Sequence, residues 1–259
     1  MADRARYERD GDLGVVVIHD PPLNLFGREL AHELLEAFDQ AERDGVRALL
    51  IRADGDVFTA GVDVHVFAEI EDSSQGHEFV AELLRLTHRL EELPFPVLTS
   101  VHGLCLTAGF ELSLACDMIW AGESARFGLV ERVVGLTPLM GGTQRVAERA
   151  GPARACQLVM TGDLYDAAEL ERWHVVNRVL PDAELAEKSL RFAHRLAEGP
   201  TVAHASTKRI VRAYLDSGVR GADAETPAIG APLFDTEDLK GAVKSFLEEG
   251  PGKATFKGR

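Results

Sequence analysis

Glu111, in Ala108-Gly109-Phe110-Glu111-Leu112, and Glu131, in Phe127-Gly128-Leu129-Val130-Glu131, each interrupt an otherwise apolar segment. Burial disfavours the charged form of a carboxylate, and two carboxylates in one dry cleft separate in pKa, so that one donates a proton while the other accepts one. That is general acid–base chemistry. The residues alone are equally compatible with Glu111 capping or salt-bridging within its own helix and Glu131 pairing with Arg126 or Arg132 at the surface, because structural ion pairs also account for half-buried carboxylates. The remaining polar candidates read as structural: His102 as a satisfied core histidine, Asp117 as a strand-end hydrogen-bonder, His65 as solvated.

If a helix begins near Ala108, Glu111 lies in its first turn, where unpaired N–H groups point toward a ligand oxygen. One site then supplies acid, base and oxyanion donors. Other common signatures are missing. The nine histidines are scattered without HExxH, and Gly250-Pro251-Gly252-Lys253 has neither the spacing nor the Ser/Thr of a phosphate-binding loop. No GxGxxG follows a strand and no GxSxG is present. Metal, nucleotide, dinucleotide and serine-hydrolase chemistry are disfavoured accordingly.

The elements that must hold these residues follow from periodicity. Val15–Ile18 reads as a strand entering the Asp20-Pro21-Pro22 loop, and Leu30, Leu34, Phe38 and Ala41 recur at helical spacing up to a stop at Gly45. Val46–Arg52 is the next strand, followed by a small-residue loop, ADGDVFTAGVD, that lets backbone come close to a ligand. Phe79, Leu83, Leu86 and Leu90 mark a helix over Gln75–Glu92, which Pro94-Phe95-Pro96 ends before the strand Val97–Val101. The Glu111 helix, the strand Asp117–Ala121, the segment Ala125–Glu131 and a Gly-rich turn over Gly135–Gly142 complete the first part. Strands alternating with helices imply a largely parallel α/β arrangement with crossover helices. Beyond about Gly151 the chain reads as helices over Arg154–Met160, Ala167–Arg172, Ala183–Glu198, Thr201–Ser217 and Glu237–Glu248, with Val175–Leu180 as a lone strand.

The 259 residues and 46% hydrophobic content are enough for one large α/β domain, or for one domain plus a helical appendage. A formal net charge of −14 argues against a nucleic-acid or anionic-membrane surface. Cys105, Cys116 and Cys156 are odd in number, lie among apolar residues and lack CxxC spacing, which predicts reduced core thiols. The charged N-terminus has no apolar leader and the longest apolar stretch is broken by Glu111, Asp117 and glycines, so the expected location is cytoplasmic.

Linked motifs in order give the chain a family likeness. Pro22-Leu23-Asn24-Leu25, Phe58-Thr59-Ala60-Gly61-Val62-Asp63-Val64, the Glu111 segment, Phe127-Gly128-x-x-Glu131 with Pro138-x-x-Gly141-Gly142-Thr143-Gln144-Arg145, and Thr161-Gly162 together resemble the enoyl-CoA hydratase/isomerase (crotonase) superfamily. The resemblance implies a spiral of ββα repeats over 1–195 and a helical trimerisation or lid region over 196–259. It implies a homotrimer or hexamer, an acyl-CoA thioester as substrate, fatty acid metabolism in the broad sense, and no cofactor or metal beyond the coenzyme A carried by the substrate. It places the oxyanion donors at the backbone N–H groups of Val62 and Ala108. It puts coenzyme A against Leu23, Leu25, Ala60, Val62, Asp63 and Val64, and the acyl group beside Leu139.

Both glutamate positions of the hydratases are filled. By resemblance Glu111 orients or deprotonates the attacking water and Glu131 protonates C2 of a trans-2-enoyl-CoA, giving a 3-hydroxyacyl-CoA. A Δ3,Δ2-enoyl-CoA isomerase using Glu131 alone and a non-catalytic acyl-CoA-binding protein are the alternatives. Three departures reshape the expected site: Thr107-Ala108-Gly109 where the family commonly has three glycines, Val62 for a usual Ala, and Leu139-Met140 where Gly-Ala is frequent. Val62 is expected to crowd the acyl group and Ala108 to narrow the freedom of the oxyanion loop.

Overall fold

The computed structural model describes residues 3–259. The chain opens with β1 (Ala5–Asp10), paired antiparallel with β2 (Leu13–Ile18). Helix α1 (Arg28–Arg43) then leads to β3 (Ala48–Ala53), a short α2 (His65–Ala68) and α3 (Ser73–Glu92). Next come β4 (Val97–Val101), β5 (Leu104–Leu106), α4 (Ala108–Ala115), β6 (Met118–Gly122) and β7 (Arg126–Gly128). A short 3-10 turn, Glu131–Val134, precedes α5 (Gly142–Ala150), α6 (Pro152–Thr161), β8 (Tyr165–Asp166), α7 (Ala167–Arg172) and β9 (Arg178–Leu180). Helices α8 (Asp182–Ala197), α9 (Thr201–Gly230) and α10 (Glu237–Glu249) finish the chain.

The large sheet has the order β1-β2-β3-β4-β6-β9, parallel throughout except for the β1–β2 edge. Beside it β5, β7 and β8 form a small sheet, joined by a bridge between Thr59 and Cys105. Each turn of the spiral thus contributes one large-sheet strand, one small-sheet segment and one helix: β3, Thr59, α3; β4, β5, α4; β6, β7, α5.

Both faces of the large sheet are covered, which is why its strands read as unbroken apolar runs. Val16, Ile18, Leu49 and Ile51 face the main core with Leu34, Phe38, Leu86 and Phe110. The alternate residues Val15, Val17, Ala48 and Leu50 face a second core that α8 closes with Leu185, Ala193 and Ala197. Strand β1, a charged and largely exposed edge, has no such signal and is not expected from sequence. Of the cysteines, Cys105 and Cys116 are buried but Cys156 is exposed on α6, correcting the expectation of three core thiols.

Helix α9 breaks at Gly218, whose φ of 67° and ψ of −176° are non-helical, matching the expected stop at Ser217. Before the break, Lys208 ties α9 to the core through the Phe95 carbonyl at 3.1 Å and Asp117 at 3.0 Å. At the other end Asp238 accepts the Lys257 and Gly258 N–H groups, folding the C-terminal residues back along α10. No helix among the described residues is long and apolar enough to cross a membrane.

Candidate active site

All eight residues of α4 are buried, so Glu111 is carried into the main core rather than onto a surface. Two features place the helix. Its C-terminal carbonyls, Leu114 and Cys116, accept hydrogen bonds from the Arg149 guanidinium at 3.0 and 2.7 Å. At its N-terminal end Phe110 packs on Phe127 of β7, with ring centroids 5.1 Å apart, so the two segments that carry the glutamates are in contact.

Glu111 neither caps its own helix nor forms a salt bridge within it. Its Oε1 accepts the N–H groups of Met140 and Gly142, both at 2.9 Å, which puts the carboxyl at the N-terminus of α5. Gly142 is needed for this approach, since a Cβ there would lie 2.8 Å from the Glu111 Cγ. Gly141 turns the chain with a φ of 99°, and Arg145, held by Glu91 at 2.8 Å, braces its carbonyl at 3.2 Å. The Gly-rich turn was legible, but its function as a cradle for Glu111 was not.

Glu131 begins the 3-10 turn, is 8% exposed, and neither carboxylate oxygen has a partner among the described residues. The neighbouring arginines are engaged elsewhere: Arg126 donates to the Ala125 carbonyl and Arg132 to that of Thr161. Burial pushes Glu131 up to about 7. Burial pushes Glu111 further, to about 8; the nearby Glu131 charge adds to the rise, and the Gly142 and Met140 N–H groups oppose it. Near neutral pH the pair therefore shares about one proton, the condition for one acid and one base.

The segments expected to hold coenzyme A are zipped together by backbone. Ala60 N–H donates to the Leu23 carbonyl at 2.8 Å, Phe26 N–H to that of Gly61 at 2.8 Å, and Asp63 N–H to that of Phe26 at 3.0 Å. Leu23 and Val64 are exposed, Leu25, Ala60, Val62 and Asp63 half-buried, and Asp63 is drawn below the usual carboxylate range by its hydrogen bond with His65. The residue that locks this assembly stands in the Pro22–Leu25 motif, where the sequence shows no role for it. Asn24 is fully buried with a φ of 49°, and its amide donates to the carbonyls of Asp54 and Val57 at 2.9 Å and of Phe58 at 3.3 Å. Its oxygen accepts the Asp20 N–H at 2.8 Å. Asn24→Ala leaves these groups without partners and should lower stability by about 2–3 kcal/mol; urea unfolding at constant m-value measures it.

The expected oxyanion segments also meet, but not as two free amides. Ala108 N–H has no acceptor among the described residues, whereas Val62 N–H donates to Thr107 Oγ1 at 3.0 Å. Ala108 itself is an ordinary helical residue, and the constraint falls on Thr107, at φ 45° and ψ −120°. A β-branched residue in that region costs on the order of 1–3 kcal/mol and persists only when its surroundings dictate it. Here they do: Thr107 N–H donates to the Gly128 carbonyl and Thr107 O accepts the Glu111 N–H, both at 2.9 Å.

Val62 lines, with Phe26, Ala31, Phe79 and Leu83, a cavity of only about 10 Å³. Met140 is fully buried and Leu139 half-buried beside it. His102 bonds the Gly55 carbonyl at 2.9 Å, and Asp117 holds the Val97 N–H at 2.7 Å at the start of β4. A larger cavity of about 700 Å³, lined by Arg145, Arg149, Lys208 and Leu215, lies against α9 and contains neither glutamate.

Residues 8–259 match the family model described as enoyl-CoA hydratase/isomerase. The chain belongs to that family. It is 31% identical over 252 residues to a protein of Bacillus subtilis (strain 168) named "Probable enoyl-CoA hydratase", covering 96% of each chain. It is 32% identical over 246 residues to the "Short-chain-enoyl-CoA hydratase" of Clostridium acetobutylicum, covering 93% of this chain and 94% of that one. A solved structure from Geobacillus kaustophilus HTA426, "Enoyl-CoA Hydrates Subunit I Other Form", superposes with a TM-score of 0.92 at 31% identity, over 99% of this chain and 98% of the other. The α/β spiral with a helical C-terminal region is thus the fold of the enoyl-CoA hydratase/isomerase family.

Proposed function

We propose that the protein is an enoyl-CoA hydratase, a lyase adding water across the double bond of a trans-2-enoyl-CoA to give a 3-hydroxyacyl-CoA. The observation that carries this reading is the pair of buried carboxyls, both raised to near neutrality, with no partner on Glu131 among the described residues. Glu111, with Oε1 fixed by two amides, orients the water and takes its proton as the oxygen attacks C3. Hydration runs from the one-proton form with Glu111 ionised and Glu131 protonated, the minor of the two when the groups stand near 8 and 7, and Glu131 then delivers its proton to C2. The thioester oxygen carries enolate charge between these steps and is stabilised by donors at the start of α4. The half-buried Leu139 narrows the acyl end of the site.

Coenzyme A is held along Leu23, Leu25, Ala60, Val62, Asp63 and Val64, and no further cofactor is needed for this chemistry. The catalytic spiral runs to about residue 195, near the end of α8, and 196–259 is the assembly region, with Ala197 still packed into the second core. Beyond Gly218 the exposed Val219, Phe234, Val243, Phe246 and Leu247 give that region apolar surface suited to a homotrimer or hexamer, working in the cytoplasm.

A panel of trans-2-enoyl-CoAs of increasing chain length is expected to lose the enoyl-thioester absorbance, with a product heavier by one water. No loss on any member would count against hydration. Turnover of 3-enoyl-CoAs that survives Glu111→Gln would instead favour the isomerase, which needs one carboxyl.

A further inference from the structure

Thr107 is an unusual residue for its place. A side chain is rare at φ 45°, the residue is 7% exposed, and its hydroxyl sits on the Val62 amide that the family likeness assigns to the thioester oxygen. The fit is close, since a Cβ on Gly61 would lie 2.7 Å from Thr107 Oγ1, so only glycine at 61 leaves room for the hydroxyl. Thr59 secures the same turn by accepting the Gly61 N–H at 3.0 Å.

A hydroxyl has one hydrogen to donate and two lone pairs to accept with. In Thr107 a lone pair takes the Val62 N–H, while no acceptor for its own O–H exists among the described residues. Its neighbour in sequence, Ala108, likewise presents an N–H without an acceptor. Two free donors on adjacent residues thus open the first turn of α4, three and four positions before Glu111. We propose that the oxyanion site of this protein is built from the Thr107 hydroxyl and the Ala108 amide, with the Val62 amide behind the hydroxyl as its polarising donor. A hydroxyl that accepts from an amide becomes a better donor itself, because chained hydrogen bonds strengthen one another. The backbone strain at Thr107 then has a purpose: it aims a side-chain donor that an unstrained residue would point elsewhere.

This inference rests on the acyl-CoA reading of the site, and the experiment separates the two. Saturated acyl-CoA with an isotope-labelled thioester carbonyl is bound to the wild type, Thr107→Ser and Thr107→Val, and the carbonyl stretch is read by infrared difference spectroscopy. A hydroxyl donor predicts a lowered frequency in the wild type and Thr107→Ser that is largely lost in Thr107→Val. In turnover of the best enoyl-CoA, Thr107→Val should lose about 10²–10³ in kcat, the usual effect of one missing oxyanion donor, with KM little changed and Thr107→Ser within about tenfold of wild type. An identical carbonyl frequency in wild type and Thr107→Val would overturn the assignment of Thr107 while leaving the acyl-CoA reading intact. So would a Thr107→Gly variant faster than wild type, which would make the hydroxyl a plug on the Val62 amide. Failure of the wild type to bind any acyl-CoA would overturn both.

Discussion

Glu131→Gln should lower kcat for enoyl-CoA hydration by about 10²–10⁴, the range supplied by one positioned acid or base, and the same substitution should make the protein more stable at pH 8. The two effects share a cause. Glu131 is buried without a partner, so its ionised form is disfavoured and its pKa stands near 7 instead of the usual 4.5. A group whose folded pKa is raised contributes stability in full below its unfolded pKa and loses it as pH rises through the folded one. The loss therefore runs from about pH 4.5 to about pH 7. The rise corresponds to about 3 kcal/mol, which relaxation of the site around the ionised carboxylate reduces to about 1–2 kcal/mol. Glutamine has no proton to lose. The variant should melt about 3–6 °C above wild type at pH 8 and lose that advantage near pH 4.5. Calorimetry across this range, beside initial rates, checks both arms; equal melting temperatures at pH 8 would mean that the carboxyl is not held in a dry site. With Glu111 near 8 and Glu131 near 7, the wild-type kcat/KM should peak between those values. Its limbs belong to the pair and not to either residue.

The sequence makes plain what depends on local pattern. The strands with both faces buried, the helix over Leu30–Ala41 and the break before Gly218 all declare themselves by periodicity or by glycine. The enoyl-CoA hydratase/isomerase fold follows from ordered motifs. The less legible part depends on contacts between distant segments. Nothing near Glu111 in sequence shows that Met140 and Gly142, on the far side of β6 and β7, will hold its oxygen. Strand β1 is recognisable only through its partner, because its residues alternate charge rather than hydrophobicity. The helix Gly142–Ala150 hides behind its own glycines, which read as a turn and are also its N-terminal cradle. Thr107 is the sharpest case. The residue stands out in the motif, but only its φ and its distance to the Val62 amide show that the side chain occupies the place expected for a ligand. Ala108, which draws attention first, causes no strain at all.

Gly109→Ala should lower stability by about 2 kcal/mol, within the usual range for overpacking, and cut kcat about 100-fold, although alanine favours a helix over glycine by about 1 kcal/mol. Sterics decide against propensity here. A Cβ on Gly109 would lie 1.8 Å from Thr59 Cγ2 and 3.2 Å from its Cβ. Thr59 cannot yield, because its N–H donates to the Leu104 carbonyl, its own carbonyl accepts the Leu106 N–H, and its hydroxyl accepts the Gly61 N–H. The first turn of α4 must move away instead, carrying Ala108 and Glu111 with it, and a displacement of about an ångström at reacting groups costs about 10² in rate. Thr59→Ser removes the obstructing methyl but keeps the hydroxyl that holds Gly61. The double variant should therefore recover much of both losses, a coupling expected of residues in direct contact. Gly241→Ala in α10, where an added Cβ meets nothing among the described residues within 4 Å, is the matched control and should gain roughly the helix propensity alone. Urea unfolding and steady-state rates on the four proteins give the cycle. A Gly109→Ala variant as active as wild type, or one that Thr59→Ser fails to rescue, would show that the start of α4 is not wedged against the 59–61 turn, and that the donors and Glu111 are positioned by something other than this contact.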